Sequence, residues 1–119
     1  WLLGDYSLYD LEQTRRITAL LNGRKRLVRG NWDLQEDAFY LEAGIEKVYD
    51  LPALLDGKYL LSHEPIDVCE GTGLFNLYGH VHNTGDRPDA TKHMVCLSCE
   101  RVDYTPLSLR QIQQRMHNA

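Results

Sequence analysis

The chain lacks the features that would place it in several large protein classes. It has three cysteines among 119 residues, an odd number that argues against a disulfide framework and fits a reducing compartment, so a cytoplasmic setting is the default expectation. No apolar run approaches the ~20 residues needed to cross a bilayer, and no signal-peptide pattern opens the chain, so no membrane partner is expected. Excess positive charge is missing too: 13 Lys and Arg against 17 Asp and Glu leave a formal charge of −4, which gives no long-range attraction for nucleic acid. Repeats, low-complexity tracts and linker-like stretches are absent, so residues 1–119 are treated as one domain. A 43% apolar and 25% charged content is ordinary for a folded globular chain. The first residue is not methionine. The chain opens instead on Trp1-Leu2-Leu3, an apolar run that reads as a buried strand. A domain seldom begins in its own central strand, so a preceding segment, carrying the first strand of the sheet, is expected upstream of Trp1.

What is present is a rhythm of short apolar runs, each ending in polar groups. Trp1–Leu3 ends at Gly4-Asp5, where glycine lets the backbone turn and the carboxylate project beyond the strand. Apolar positions Leu8, Leu11, Ile17, Leu20 and Leu21 recur at helical spacing, with Asp10 and Gln13 offering a cap and Asn22-Gly23 a stop. Arg24–Arg29, with Leu27-Val28, leads as a strand into Gly30-Asn31-Trp32-Asp33. Leu34–Ala43 reads as a helix ending before Gly44. Ile45–Leu51 and Lys58–Ser62 read as two strands around Pro52 and the Asp56-Gly57 turn, a strong hairpin signal, and the second delivers His63 to a strand end. After a loop with Glu64-Pro65, Gly71 and Gly73, the run Phe75 to Tyr78 opens into Gly79-His80-Val81-His82. Residues 83–89 read as loop or disorder and Lys92–Val102 as a strand broken by Pro106. Ser108 with Gln111 forms a capping box for a last helix through Met116. The expected class is α/β, with sites gathered at the carboxyl ends of strands.

Collected from those ends, Asp5, Asn31, His63, His80 and His82 make a mixed oxygen and nitrogen set. At period two, His80 and His82 leave an extended backbone on the same side, so both imidazoles can reach one metal site or two adjacent ones. Such a set suits a divalent transition metal (Mn, Fe, Zn or Ni) rather than calcium. Two ions about 3.5–4 Å apart would clamp the attacking and leaving oxygens of a phosphoryl transfer.

The ordered series Gly4-Asp5, Gly30-Asn31-Trp32-Asp33, His63 and Gly79-His80-Val81-His82 resembles the calcineurin-like metallophosphoesterases, in particular their small bacterial and phage members. The tail from Val102 to Leu109 is similar to the closing segment of that group, and the resemblance spans nearly the whole chain. It implies a metallophosphoesterase-type β-sandwich flanked by helices, here without its first strand. It also implies two divalent metal ions in the complete protein and hydrolysis of a phosphoester, a nucleotide among the candidates, by a metal-activated hydroxide. By the same resemblance Asp5 would bridge the metals, Asn31, His63 and His80 would complete the second site, and His82 would belong to the first. Asn31, His80 and Asp33 would serve catalysis.

Two departures from the family pattern stand out. The opening Asp-x-His motif, which supplies the other ligands of the first site, has no counterpart, and its place would lie upstream of Trp1. Trp32 stands where most members carry the histidine that protonates the leaving group, and that histidine is what Asp33 would orient. Indole cannot deliver a proton at physiological pH. Members without that histidine are associated with phosphodiesters more than monoesters, so phosphodiesterase activity is expected. A catalytically silent member used as a binding module, as in the retromer subunit of this fold, is the alternative.

Other residues carry weaker signals. Trp32 could stack on a nucleobase or pack its own loop. Arg15-Arg16 and Arg24-Lys25-Arg26 could hold phosphates or lie on solvated faces. Cys96 and Cys99, three apart on a strand, point to opposite faces and read as small buried hydrophobes rather than as half of a zinc site. Cys69 shows no visible chemistry. His93 could be a substitute acid or, like His117, a surface residue.

Overall fold

The computed structural model describes residues 1–67, 71–82 and 87–119. Residues 68–70, with Cys69, and residues 83–86 of the expected loop lie outside the described residues. Within them the chain is mixed α/β, with two sheets and three α-helices, which is the expected class. In chain order the elements are α1 (Leu11–Leu20), β1 (Arg26–Val28), α2 (Asp37–Glu42), β2 (Lys47–Tyr49), β3 (Ala53–Leu55), β4 (Tyr59–Ser62), β5 (Phe75–Tyr78), β6 (Met94–Cys96), a 3-10 turn at Cys99–Arg101 and α3 (Leu109–Asn118).

One sheet pairs β1 and β2 in parallel, and Leu2 adds a single parallel bridge to Leu27 on the other side of β1. The expected strand Trp1–Leu3 is thus reduced to one bridged residue, held by Leu2 N–H to the Arg26 carbonyl (2.8 Å) and Val28 N–H to the Leu2 carbonyl (2.9 Å). The second sheet runs β3-β4-β5-β6, with β3 antiparallel and the rest parallel. Alternation of side chains decides what each face meets. Leu27 packs with Tyr40 and Ile45 against α2, whereas its neighbour Val28 joins Leu61, Leu77 and Val95 of the second sheet and Ile112 and Met116 of α3 in the main core.

The Asp56-Gly57 turn is observed, with positive φ at both residues and Lys58 N–H donating to the Leu55 carbonyl, the type I′ arrangement. Its first strand differs from the expected one. The antiparallel partner of β4 is Ala53–Leu55, after Pro52, and the run Ile45–Leu51 supplies β2, which pairs with β1 in the other sheet. Pro52 separates two strands that belong to different sheets. Gly44, at φ 108°, ends α2 as expected: its N–H donates to Leu41 and that of Ile45 to Tyr40, a complete Schellman motif sealed by Ile45 on Tyr40. The capping box of Ser108 and Gln111 is also present. The expected strand Lys92–Val102 shortens to β6 and then turns into the 3-10 segment. Cys96 is buried there but Cys99 is exposed, which corrects the reading of both as buried.

Helix α1 departs most from expectation. Asp10 caps it by accepting from Gln13 N–H, yet the apolar positions do not form its inner face: Leu8 is 75% and Leu20 82% exposed. The buried residues are Thr14 and Thr18. The Thr18 hydroxyl donates to the Thr14 carbonyl and so accepts from Tyr6 Oη at 2.7 Å, while Ser7 Oγ lies 2.8 Å from Thr14 Oγ1. Small polar side chains that bond one another let the helix approach the Asp5–Tyr9 segment closely. Thr14→Val should therefore cost about 1–3 kcal/mol by removing the Thr14 partner of the buried Ser7 hydroxyl, which keeps only the bond from Tyr9 N–H, whereas Leu20→Gln should stay within about 0.5 kcal/mol. Urea unfolding of both variants reads the difference, and equal losses would contradict this account of the interface.

Candidate metal centre

The carboxyl ends of Leu2–Leu3, β1, β4 and β5 meet at one edge of the molecule and bring together Asp5, Asn31, His63 and His80. His63 is the hub. Its Nδ1 lies 2.7 Å from the Leu3 carbonyl, which can only accept, so Nδ1 carries the proton and Nε2 of the neutral ring presents a lone pair. That Nε2 faces Asp5 Oδ2 at 3.3 Å, Asn31 Oδ1 at 2.8 Å and His80 Nδ1 at 3.0 Å. Asp5, His63 and His80 offer ligand atoms that all lie within 4.8 Å of one another. Two acceptors 3.3 Å apart repel unless a proton, an N–H or a cation stands between them. Asn31 can serve either way: turned with nitrogen inward it donates to His63 Nε2 and its oxygen accepts from the Trp32 indole, and with oxygen inward it becomes a ligand. Atoms bonded at ~2.1 Å to a single ion stand roughly 3.0–3.4 Å apart in octahedral or tetrahedral geometry, close to the separations around His63. The donor set fits a divalent ion, with the Leu3 carbonyl fixing the His63 tautomer from behind.

The backbone is forced to make this convergence. Asp5 and His80 both take positive φ, 53° and 60°, a conformation costing roughly 1–2 kcal/mol for a residue with a Cβ. Gly4 and Gly30 allow the close approach. A Cβ at Gly4 would stand 2.2 Å from His63 Nδ1, and one at Gly30 would stand 2.3 Å from the Asp5 nitrogen. Asp33, 2% exposed, ties these loops together. Its Oδ2 accepts from the N–H groups of Asp5 (2.8 Å) and Gly30 (2.7 Å), and its Oδ1 accepts from Tyr6 N–H (2.8 Å). The residue expected to orient an absent histidine thus holds the peptide of a ligand, and its three partners lie 3 (Gly30), 27 (Tyr6) and 28 (Asp5) positions away.

His82 is not brought into the group. The positive φ of His80 breaks the extended geometry on which same-side projection depended, and the His82 imidazole, 71% exposed, instead places Nδ1 2.7 Å from Glu100 Oε1. Arg101, 4% exposed in its side chain, donates to the His82 carbonyl through Nε and Nη2 and fixes this path. Cys96 Sγ donates to the Val81 carbonyl at 3.7 Å. Nothing local in the sequence signals these three supports, because they reach across from β6 and the 3-10 turn after it.

Trp32 sits beside the centre, 56% exposed, with its N–H donating to Asp5 Oδ1 at 2.9 Å. His93 precedes β6 and stacks on Phe75, the first residue of β5, so it lies at the opposite end of the parallel strands from the metal centre and cannot act there as an acid. His117 lies in the last turn of α3 and is exposed. The arginine clusters are engaged structurally: Arg16 with Glu12, and Arg24 and Arg26 with Glu46. Arg29 donates to Asp50 and Asp37 and to the carbonyls of Asp33 and Gln35. Burial opposes its charge, but those bonds and the two carboxylates outweigh burial and raise its pKa.

No family model matches the chain, and no curated protein matches it. Among solved structures it is similar to the crystal structure of a protein of unknown function from Aquifex aeolicus. The two share 28% identity with a TM-score of 0.63, over 94% of this chain and 73% of that one. No helix among the described residues is long and apolar enough to cross a membrane.

Two substitutions test the geometry. Asp33→Ala should destabilise the protein by about 3 kcal/mol or more, since it removes charge-assisted acceptors from three N–H groups. Gly4→Ala should displace His63 and lower divalent-metal affinity by more than tenfold, as loss of a positioning contact around a metal does. Denaturant unfolding and metal titration measure these; a Gly4→Ala protein with unchanged metal affinity would contradict the close-approach argument.

Proposed function

We propose that this chain is a metal-dependent phosphoesterase of the calcineurin-like metallophosphoesterase type, acting on phosphodiesters more readily than on monoesters. The observation that carries the reading is the convergence of Asp5, Asn31, His63 and His80 on the His63 Nε2 lone pair at the ends of neighbouring strands. The finer architecture belongs to the same proposal: the two sheets joined through Val28 and the main core are read as the β-sandwich of that family. Divalent ions (Mn, Fe, Zn or Ni), two by the family pattern, belong to the same proposal. Asp5, Asn31, His63 and His80 would hold a divalent ion. A bound divalent ion supplies Lewis acidity and hydroxide near neutral pH.

The chain's own residues set the rest. Leu3 and Asp33 orient His63 and Asp5, and the left-handed turn at His80 aims its imidazole inward. Trp32 contributes no proton, so substrates with good leaving groups are favoured. The side chain of His82 turned to Glu100 favours the second reading, a silent binding module, because it leaves a single ligand group among the described residues.

Metal content and hydrolysis of bis-nitrophenyl phosphate with manganese separate the two. Wild type should carry metal and turn over, and His63→Ala and His80→Ala should lose both by tenfold or more. Metal-loaded protein that leaves the diester intact would support the binding module, and equal metal in all three proteins would overturn the ligand assignment. Trp32→His should raise kcat/KM for alkyl or nucleotide esters by about tenfold or more, within the range that general-acid catalysis supplies, and should change nitrophenyl esters little. An unchanged ranking would show that loss of the leaving group does not limit the rate.

A further inference from the structure

Beside the metal centre runs a groove of about 450 Å3 that shares Asn31 and His63 with it. Its size suits a small organic ligand. Leu51, Pro52, Pro65 and Ile66 supply its apolar lining, and Leu51 is 76% exposed. Among the described residues the only cationic side chain lining it is Arg29, and the carboxylates Asp50 and Glu64 line it too. Arg29 has no arm to spare. Its three nitrogens are taken by Asp50, Asp37 and two carbonyls, and two carboxylates more than cancel its charge. A phosphate or carboxylate entering this groove would meet acidic side chains and no free donor cation, whereas an apolar group would cover exposed Leu51 and the prolines.

Resting on the phosphoesterase reading above, we propose that this groove binds the retained alcohol of the phosphodiester, selects apolar alcohols that carry no negative charge, and rejects substrates with a second phosphate. The scissile phosphate would sit at Asn31 and His63, with its apolar substituent along Leu51, Pro52, Pro65 and Ile66.

The test holds the leaving group constant and varies the retained one: methyl, benzyl and phosphoethyl nitrophenyl phosphates, assayed with manganese. Hydrolysis breaks the P–O bond to nitrophenolate and forms one to the oxygen of water, whose protons pass to the products and solvent. The benzyl ester should exceed the methyl ester by about tenfold in kcat/KM, the low end of what an apolar pocket yields, and the phosphoethyl ester should fall below the methyl ester. Leu51→Asp should bring the benzyl-to-methyl ratio towards one, and Glu64→Lys should raise the phosphoethyl ester relative to the methyl. Calorimetric titration with benzylphosphonate and methylphosphonate gives a second readout that needs no turnover, and there too benzyl should bind about tenfold tighter. Cleavage without a benzyl preference, or with phosphoethyl preferred, overturns the groove assignment and leaves the phosphoesterase reading standing. A benzyl preference in binding without cleavage of any ester supports the groove and overturns the phosphoesterase reading. Equal binding of the two phosphonates overturns the proposal by itself.

Discussion

The candidate metal centre depends on one buried carboxylate. Asp33 collects the N–H groups of Asp5, Tyr6 and Gly30, three donors from two chain segments that are also joined by the Leu2 bridge and by Trp32 N–H on Asp5. Charge-assisted bonds of this kind are about twice as strong as neutral ones, and here they act where almost no water reaches. Without them the segment after Leu3 would be held at the end of β1 only by Trp32 N–H on Asp5 and by the Leu2 bridge before it. Asp5 would then no longer face His63, and the Leu3 carbonyl would no longer select the His63 tautomer.

The clamp works against strain. Asp5 and His80 occupy left-handed backbone conformations that are populated where surrounding contacts over-determine them, and these two residues are ligands in the candidate centre. Gly4 and Gly30 contribute by having no side chain: the space a Cβ would need is filled by His63 and by Asp5. On the far side, Arg101 and Cys96 hold the carbonyls of His82 and Val81, so the loop carrying His80 is fixed from β6 as well as from β5. Two loops of opposite origin are thus locked in register around one imidazole.

Charge in the surroundings follows the same economy. The arginines whose contacts are described bond neighbouring carboxylates or carbonyls, and Arg29, which lines the groove, is held by two carboxylates. The result is a candidate centre of carboxylate, amide and imidazole groups whose adjoining groove offers, among the described residues, no unneutralised cation. A divalent ion is the positive charge that this arrangement calls for, and an apolar, non-anionic substituent is what the groove beside it can accept.

The sequence by itself determined the local features. Polar groups at the ends of apolar runs located Asp5, Asn31 and His80, each after a glycine, and His63 after Ser62, because a polar group after an apolar run has to leave the sheet. Asp56-Gly57, Gly44 and the box of Ser108 and Gln111 specified their turn and caps, because those geometries depend on residues within four positions. Only the tertiary structure decided the rest. Apolar spacing in α1 pointed to the wrong face, since its contact with the Asp5–Tyr9 segment is made by threonine hydroxyls whose partners are distant in sequence. Period-two reasoning placed His82 beside His80, and the left-handed backbone at His80 separated them. Pro52 divides strands between two sheets, a choice set by which partner each strand finds. The role of Asp33 was hidden for the same physical reason: its value lies in N–H groups presented by another segment, and no local pattern records where a folded chain will bring them.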